Sequence, residues 1–194
     1  LDERFERRWL GSADAVVCVS EPAAADLRER GIAEPVVIRN AWDPDGEPSP
    51  EATESIAGVL DPGRTTILYT GRFGSYGRDP SGLAEGVRRL NSQDRGGAAR
   101  LELAIAGPLR PEERALFESL GGEGVKVSLL GSLEPQRTLA LQRQADALLL
   151  LAQPARSQLL NFKLFEYLAA GRPILALCAS TEAGRVATEA RIEP

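Results

Sequence analysis

Between residues 66 and 178 the chain alternates short apolar runs with segments that carry helix boundary signals. The runs, each typical of a buried strand, are 66–70, 101–106, 125–130, 147–151 and 174–178. Helices are predicted between them at 80–90, 111–120, 135–144 and 162–170. Strands that alternate with helices of about ten residues pair in parallel through right-handed crossovers. The sequence therefore predicts an α/β fold, a doubly wound, Rossmann-like parallel sheet with helices on both faces.

The first 40 residues carry a smaller alternation of the same kind. The β-branched run 15–19 predicts a strand buried on both faces, preceded by a helix. Ser20 offers an N-cap for a second helix that ends at Gly31, and 36–38 is a short second strand. The polar stretch that follows contains Pro44, Gly46, Pro48 and Pro50 and is typical of a linker.

Composition and charge exclude several classes of protein. The chain is 43% hydrophobic and 26% charged, as ordinary globular proteins are. A net charge of -5 argues against a nucleic-acid-binding surface. No apolar run approaches the ~20 residues that span a bilayer, and residues 1–10 do not resemble a secretory signal, so we expect a cytoplasmic protein. Cys18 and Cys178 are predicted to be reduced core residues, and the absence of Met, even at position 1, leads us to expect an excised fragment.

A glycine-rich loop follows the predicted strand 66–70, at the edge of the sheet where ligands bind in such folds. The loop contains Gly71, Gly74 and Gly77, but it lacks the full dinucleotide fingerprint and the phosphate loop with a terminal Lys. Its glycines allow a ligand to approach the backbone, and the guanidinium groups of Arg72 and Arg78 can each hold a phosphate bidentately. On spacing alone, a surface loop with solvated arginines is an open alternative.

A second candidate cluster begins the predicted helix 162–170. Asn161 is a plausible N-cap, which leaves outward-pointing amides as an anion site, and Lys163 adds a positive charge. Glu166 lies three residues after Lys163 on the same helix face, where its carboxylate can accept hydrogen bonds from two ribose hydroxyls. An amphipathic helix with a local ion pair explains the same residues.

The string KLFEYLAAGRPILAL at 163–177 resembles the donor-site signature of retaining glycosyltransferases with the GT-B fold, the group that builds bacterial polysaccharides and glycolipids. Other strings agree in the family's order: ADAVVCVSEPAAADLRERG, VVIRNAWD, TILYTGRF, LELAIAGPL and VSLLGSLEPQRTLALQRQADALLLLA. The resemblance implies that 1–40 is the end of an N-terminal, acceptor-side domain. Residues 41–65 are then the linker, and 66–194 is a nucleotide-sugar donor-binding domain that is truncated at its C-terminus.

The resemblance also implies roles for individual residues. Glu166 binds the ribose, Arg72 contacts the donor diphosphate, and Arg78 takes the role of the family's Lys, although five residues rather than four separate the two arginines. Gln158 stands eight residues before Glu166, where the family has an acidic residue. Gln158 can hydrogen-bond a sugar hydroxyl but carries no negative charge. Lys163 matches a subgroup in which Lys lies three residues before that Glu.

The implied activity is hexosyl transfer from a nucleotide-diphosphate sugar to an acceptor sugar, lipid or small molecule that is bound mainly by the missing N-terminal domain. Fixed cations stabilise the charge on the leaving diphosphate, and no metal or cofactor is expected because the chain lacks His and a close carboxylate set. The isolated fragment is expected to be inactive, and peripheral association of the full protein with the inner membrane face is left open. Two alternatives are a non-catalytic GT-B-like module, which Gln158 favours, and a sugar-nucleotide epimerase.

Overall fold

The computed structural model describes residues 3–43, 46–74, 79–93, 100–121, 124–152, 162–178 and 181–189. The strands are β1 (Val17–Cys18), β2 (Val36–Val37), β3 (Thr65–Thr70), β4 (Leu101–Ala106), β5 (Lys126–Gly131), β6 (Ala147–Leu151) and β7 (Ile174–Leu177). The helices are α1 (Glu3–Leu10), α2 (Glu21–Glu29), α3 (Pro50–Ser55), α4 (Ser81–Gln93), α5 (Pro111–Glu118), α6 (Pro135–Gln144), α7 (Phe162–Ala170) and α8 (Glu182–Glu189).

The main sheet has five parallel strands in the order β5-β4-β3-β6-β7. Apolar side chains cover both of its faces, since successive residues of a strand point to opposite sides. On one face Leu68 of β3 belongs to a cluster with Leu141 of α6 and Leu164 of α7. On the other face Tyr69 packs with residues of α4 and α5, including Phe117. The predicted α/β fold, with a doubly wound parallel sheet between two helical layers, is confirmed.

The N-terminal segment forms a separate two-stranded sheet in which β1 pairs in parallel with β2. Ser20 caps α2 as predicted, because its hydroxyl accepts the Ala23 amide at 3.2 Å. The prediction that 15–19 is buried on both faces is wrong, since Val17 is 56% exposed and Cys18 is only half-buried. Within the described residues this sheet has two strands, too few to bury both faces of β1. Cys178 is a buried free thiol, as predicted.

Two helices are absent from the sequence prediction. Helix α3 lies in the predicted linker, where the Ser49 hydroxyl accepts the Ala52 amide at 3.1 Å and Ile56 is fully buried in the core. Pro50, which we interpreted as a linker residue, occupies the first turn of α3, where its fixed φ is favourable. Helix α8, which follows β7, is the second helix that the sequence did not predict. The division at residues 40 and 65 stays a prediction. None of the helices in the described ranges is both long enough and apolar enough to span a bilayer.

A buried carboxylate ties the strands together at the amino end of the sheet. Glu102 is fully buried in β4 and accepts hydrogen bonds from the Asp61 amide at 2.8 Å, the Thr66 hydroxyl at 3.1 Å and the Ser128 hydroxyl at 2.5 Å. The ammonium group of Lys126 lies 3.1 Å away. Burial acts to raise the pKa of Glu102, but these donors together hold it below its ordinary value. The carboxylate is therefore ionised and fully partnered.

We expect Glu102→Gln to lower the free energy of unfolding at pH 7 by about 2–3 kcal/mol, because the buried donors lose their charged acceptor. Urea unfolding measures this, with Glu85→Gln on the exposed face of α4 as the matched control. Since the folded pKa of Glu102 is depressed, its contribution is present in full above the ordinary value of 4.5 and is lost as the pH falls through the folded value. Equal losses in the two variants at pH 7 would contradict this role.

Candidate functional site

The strand order reverses between β3 and β6, and this switch point is where open α/β sheets bind ligands beyond the carboxyl ends of their strands. Thr70 ends β3 at this edge, and Gly71 begins the predicted glycine-rich loop. Helix α7, which carries the second predicted cluster, follows β6 along the chain. The topology therefore places the two clusters on either side of the switch point.

A direct contact joins the glycine-rich loop to α7. A Cβ atom added to Gly71 would lie 2.6 Å from Cε of Lys163, so the lysine stem runs against the backbone directly after β3. Gly71 has a φ of 129°, which favours glycine, and its amide donates to the Ala106 carbonyl at 2.8 Å. A larger residue at position 71 would push Lys163 away from the end of β3.

The loop after β4 packs equally closely on Gly71. Gly107 has a φ of 153°, and a Cβ atom there would lie 2.0 Å from the Gly71 carbonyl oxygen. The Gly107 amide donates to the Gly131 carbonyl at 2.7 Å. Three neighbouring strand ends thus meet backbone to backbone, which only glycine at position 107 permits.

Beneath this edge a buried polar cluster surrounds Thr70. Its hydroxyl oxygen lies 3.2 Å from Nε2 of Gln142, 3.3 Å from Nζ of Lys163 and 3.1 Å from the hydroxyl of Tyr167. The Tyr167 hydroxyl also accepts the Thr70 amide at 3.1 Å. Because the two nitrogens can only donate, they occupy both lone pairs of Thr70, and its proton goes to Tyr167. Burial raises the pKa of Tyr167, which keeps its phenol neutral.

Glu166 lies beside this cluster with its two oxygens in different surroundings. Its Oε2 accepts a hydrogen bond from Nε2 of Gln142 at 3.1 Å and lies 4.0 Å from Nζ of Lys163. Its Oε1 has no hydrogen-bond partner among the described residues. The side chains of Glu166 and Lys163 are 18% and 24% exposed. A carboxylate and an ammonium group therefore stand side by side at the switch point, both within reach of a ligand.

The first part of the glycine-rich loop is anchored by an aromatic stack. Phe73 is fully buried, and its ring centroid lies 4.3 Å from that of Tyr69 and 5.3 Å from that of Phe117. The hydroxyl of Tyr69 donates to the Arg72 carbonyl at 3.0 Å. These contacts fix the backbone while the Arg72 residue remains exposed at the surface.

Two further residues hold this loop, and the sequence analysis assigned neither a role there. The carboxylate of Glu113, which is 4% exposed, accepts the Gly74 amide at 2.8 Å and the Arg110 amide at 2.9 Å. A Cβ atom on Gly74 would lie 1.5 Å from Nη2 of Arg110, so the guanidinium group covers this glycine. Burial acts against ionisation of Glu113, but its donors hold its pKa below the ordinary value. An acidic residue at the third position of a helix is a capping signal that points to Glu113 from sequence alone.

The structure thus brings together Gly71, Lys163 and Glu166, with Arg72 on the loop that packs against Lys163. Arg78, Gln158 and Asn161 lie outside the described residues, so their roles stay predictions. No group of three or more His, Cys, Asp or Glu side chains within the described segments is arranged to hold a metal ion.

An apolar groove lies elsewhere, between α4 and the sheet. Its volume is ≈ 290 Å³, and Leu83, Leu90, Leu175 and Leu177 contribute to its lining. This lining does not suit a charged ligand and includes none of the residues at the switch point.

Comparison with solved structures identifies several chains of the same fold. WaaG, a glycosyltransferase involved in lipopolysaccharide biosynthesis, matches with a TM-score of 0.64 and 21% identity over 90% of this chain. The sucrose-phosphate synthase of Thermosynechococcus elongatus matches with a TM-score of 0.61 and 19% identity over 90% of this chain. HepE of Anabaena, solved in complex with UDP and glucose, matches with a TM-score of 0.61 and 14% identity over 91% of this chain. No protein-family model and no curated protein matches the sequence.

The match covers 47% of WaaG, 43% of the synthase and 48% of HepE, so this chain spans slightly less than half the length of each. At these identities the likeness establishes the fold. The resemblance to GT-B glycosyltransferases, drawn from the sequence strings above, is confirmed at that level.

The packing of the strand ends predicts opposite effects for two glycine substitutions. Gly107→Ala should lower the free energy of unfolding by about 2 kcal/mol or more, because Cβ would meet the Gly71 carbonyl at an unfavourable φ. Gly86→Ala, in the open interior of α4, should raise it by roughly 0.5–1 kcal/mol. Urea unfolding of both variants tests the contact. A Gly107→Ala protein as stable as the native chain would contradict the close approach.

Proposed function

We propose that this chain binds a nucleotide-diphosphate sugar at the switch point and belongs to a protein that transfers the sugar to an acceptor. The observation that carries the proposal is the pairing of Lys163 with Glu166 against the backbone of Gly71. A nucleoside diphosphate offers groups of complementary chemistry, a negative pyrophosphate for the ammonium group and a ribose with two adjacent hydroxyls for the carboxylate. The fold shared with three glycosyltransferases, one of them solved with UDP and glucose, supports this ligand class.

The chemistry of the site suits departure of a diphosphate. As the bond to the anomeric carbon breaks, negative charge grows on the β-phosphate, and a preorganised cation stabilises that charge more than it stabilises the ground state. Lys163 is held near the strand end by its bond to Thr70, and Arg72 lies on the adjoining loop. We assign Arg78, Asn161 and Gln158 to the same ligand on the resemblance alone.

In this proposal the cations of the chain, rather than a metal ion, balance the diphosphate charge. The acceptor and the other wall of the cleft belong to the part of the protein outside this chain. Hexosyl transfer, a cytoplasmic location and inactivity of the isolated chain remain parts of the proposal.

Titration calorimetry of the 194-residue chain with UDP, GDP and ADP tests the ligand class. We expect at least one of the three to bind, and the affinity to be the same with and without EDTA. Binding of none of them would contradict the proposal and favour a non-catalytic module. A large loss of affinity in EDTA would contradict the metal-free clamp.

Two substitutions separate the ribose and phosphate contacts. Glu166→Ala should weaken nucleoside diphosphate binding by about 1–3 kcal/mol, because a charged acceptor of ribose hydroxyls is lost. Arg72→Ala should weaken binding of the diphosphate more than that of the corresponding nucleoside. Glu118→Ala, on the exposed face of α5, is the control and should change neither. Unchanged affinity in a folded Glu166→Ala protein would remove Glu166 from the site.

A further inference from the structure

A fully buried amide lies directly behind the carboxylate that faces the proposed ligand. Gln142 is on α6, is 0% exposed and reaches across to both β3 and α7. Its Nε2 donates to Oγ1 of Thr70 at 3.2 Å and to Oε2 of Glu166 at 3.1 Å. Both protons of the amide nitrogen are thereby used, and a single side chain connects three elements at the switch point.

The chemistry of the neighbours fixes which end of the amide faces Glu166. An ionised carboxylate only accepts hydrogen bonds, so the nitrogen must face it, because the carbonyl oxygen would repel it. Oε1 of Gln142 is buried and has no partner among the described residues. The side chain thus makes its described hydrogen bonds through the nitrogen, at the cost of an unpaired buried oxygen. An apolar residue of similar size would fill the same space without leaving a buried oxygen unpaired, so packing alone does not account for this side chain.

No other group in the described part of the chain holds the Glu166 carboxylate as closely. Nζ of Lys163 lies 4.0 Å from Oε2, beyond hydrogen-bonding distance, and is itself bonded to Thr70. Gln142 therefore fixes one carboxylate oxygen, while Oε1 has no partner among the described residues and can accept hydrogen bonds from a ligand. Without that bond the Glu166 side chain can rotate about its last torsions, which are broad for this residue type.

We propose that Gln142 is a positioning residue for Glu166, orienting its carboxylate to receive the ribose hydroxyls of a nucleoside diphosphate. This inference rests on the proposed function and adds a residue that does not itself touch the ligand. Gln142 anchors on the Thr70 hydroxyl. Lys163 reaches the same hydroxyl through its own hydrogen bond, which does not involve Gln142.

A double-mutant cycle measures whether Gln142 acts through Glu166. Four proteins are compared: the native chain, Gln142→Leu, Glu166→Ala and the variant with both substitutions. Calorimetry gives the affinity of each for UDP, or for GDP or ADP if one of these binds more tightly, and for inorganic pyrophosphate, which has no ribose. Gln144→Leu, on the exposed face of the same helix, is the matched control.

We expect Gln142→Leu to weaken nucleotide binding about tenfold and to leave pyrophosphate binding unchanged. In the Glu166→Ala background, the same substitution should have no further effect, since coupled residues are non-additive. A purely structural role would instead lower both affinities together, or lower them equally in both backgrounds. Gln142→Met, which also lacks a donor, replaces Gln142→Leu if the latter fails to fold by circular dichroism.

The outcomes separate this inference from the proposed function. If the native chain binds none of the three nucleotides, both are overturned. Suppose instead that the native chain binds a nucleotide and that Glu166→Ala weakens this binding. If Gln142→Leu then leaves the affinity unchanged, or lowers it equally in the native and Glu166→Ala backgrounds, only the positioning role of Gln142 is overturned.

Discussion

The hydroxyl of Thr70 is the contact on which the geometry of the site depends. It lies at the last residue of β3, next to the reversal in strand order, and is shared by Lys163, Gln142 and Tyr167. Each of these side chains comes from a helix that packs on one face of the sheet. Because the hydroxyl is buried, water does not compete for its hydrogen bonds. These bonds hold the charged groups at the edge of the sheet in fixed positions relative to the core.

The two ends of the sheet use glutamate in different ways. At the amino end Glu102 is fully buried, and its carboxylate is surrounded by donors and a lysine, which suits a structural role. At the carboxyl end Glu166 retains some exposure, and within the described residues one of its oxygens lacks a partner. The partly exposed carboxylate therefore lies at the carboxyl ends of the strands, where open α/β sheets bind ligands.

Most of the sheet could be predicted because its elements carry strong local signals. Strands β4 and β6 and helices α6 and α7 begin and end where the sequence places them. Helix α3 was missed because Pro50 marks both a loop and a first helical turn. The topology of the sheet accounts for the nearness of the glycine-rich loop and α7. The role of Gln142 instead depends on a contact with Glu166, which lies 24 residues away in the sequence. Glu113 accepts the Gly74 amide across a separation of 39 residues, which local sequence signals do not reveal.

The proposed function requires that Lys163 and Glu166 together recognise the diphosphate and the ribose of one nucleotide. A crystal structure of the chain with UDP, GDP or ADP bound tests it most directly. We expect the ribose hydroxyls within hydrogen-bonding distance of the Glu166 carboxylate, and the pyrophosphate beside Gly71 and the ammonium group of Lys163. A nucleotide bound elsewhere, or one oriented with its ribose away from Glu166, would contradict it.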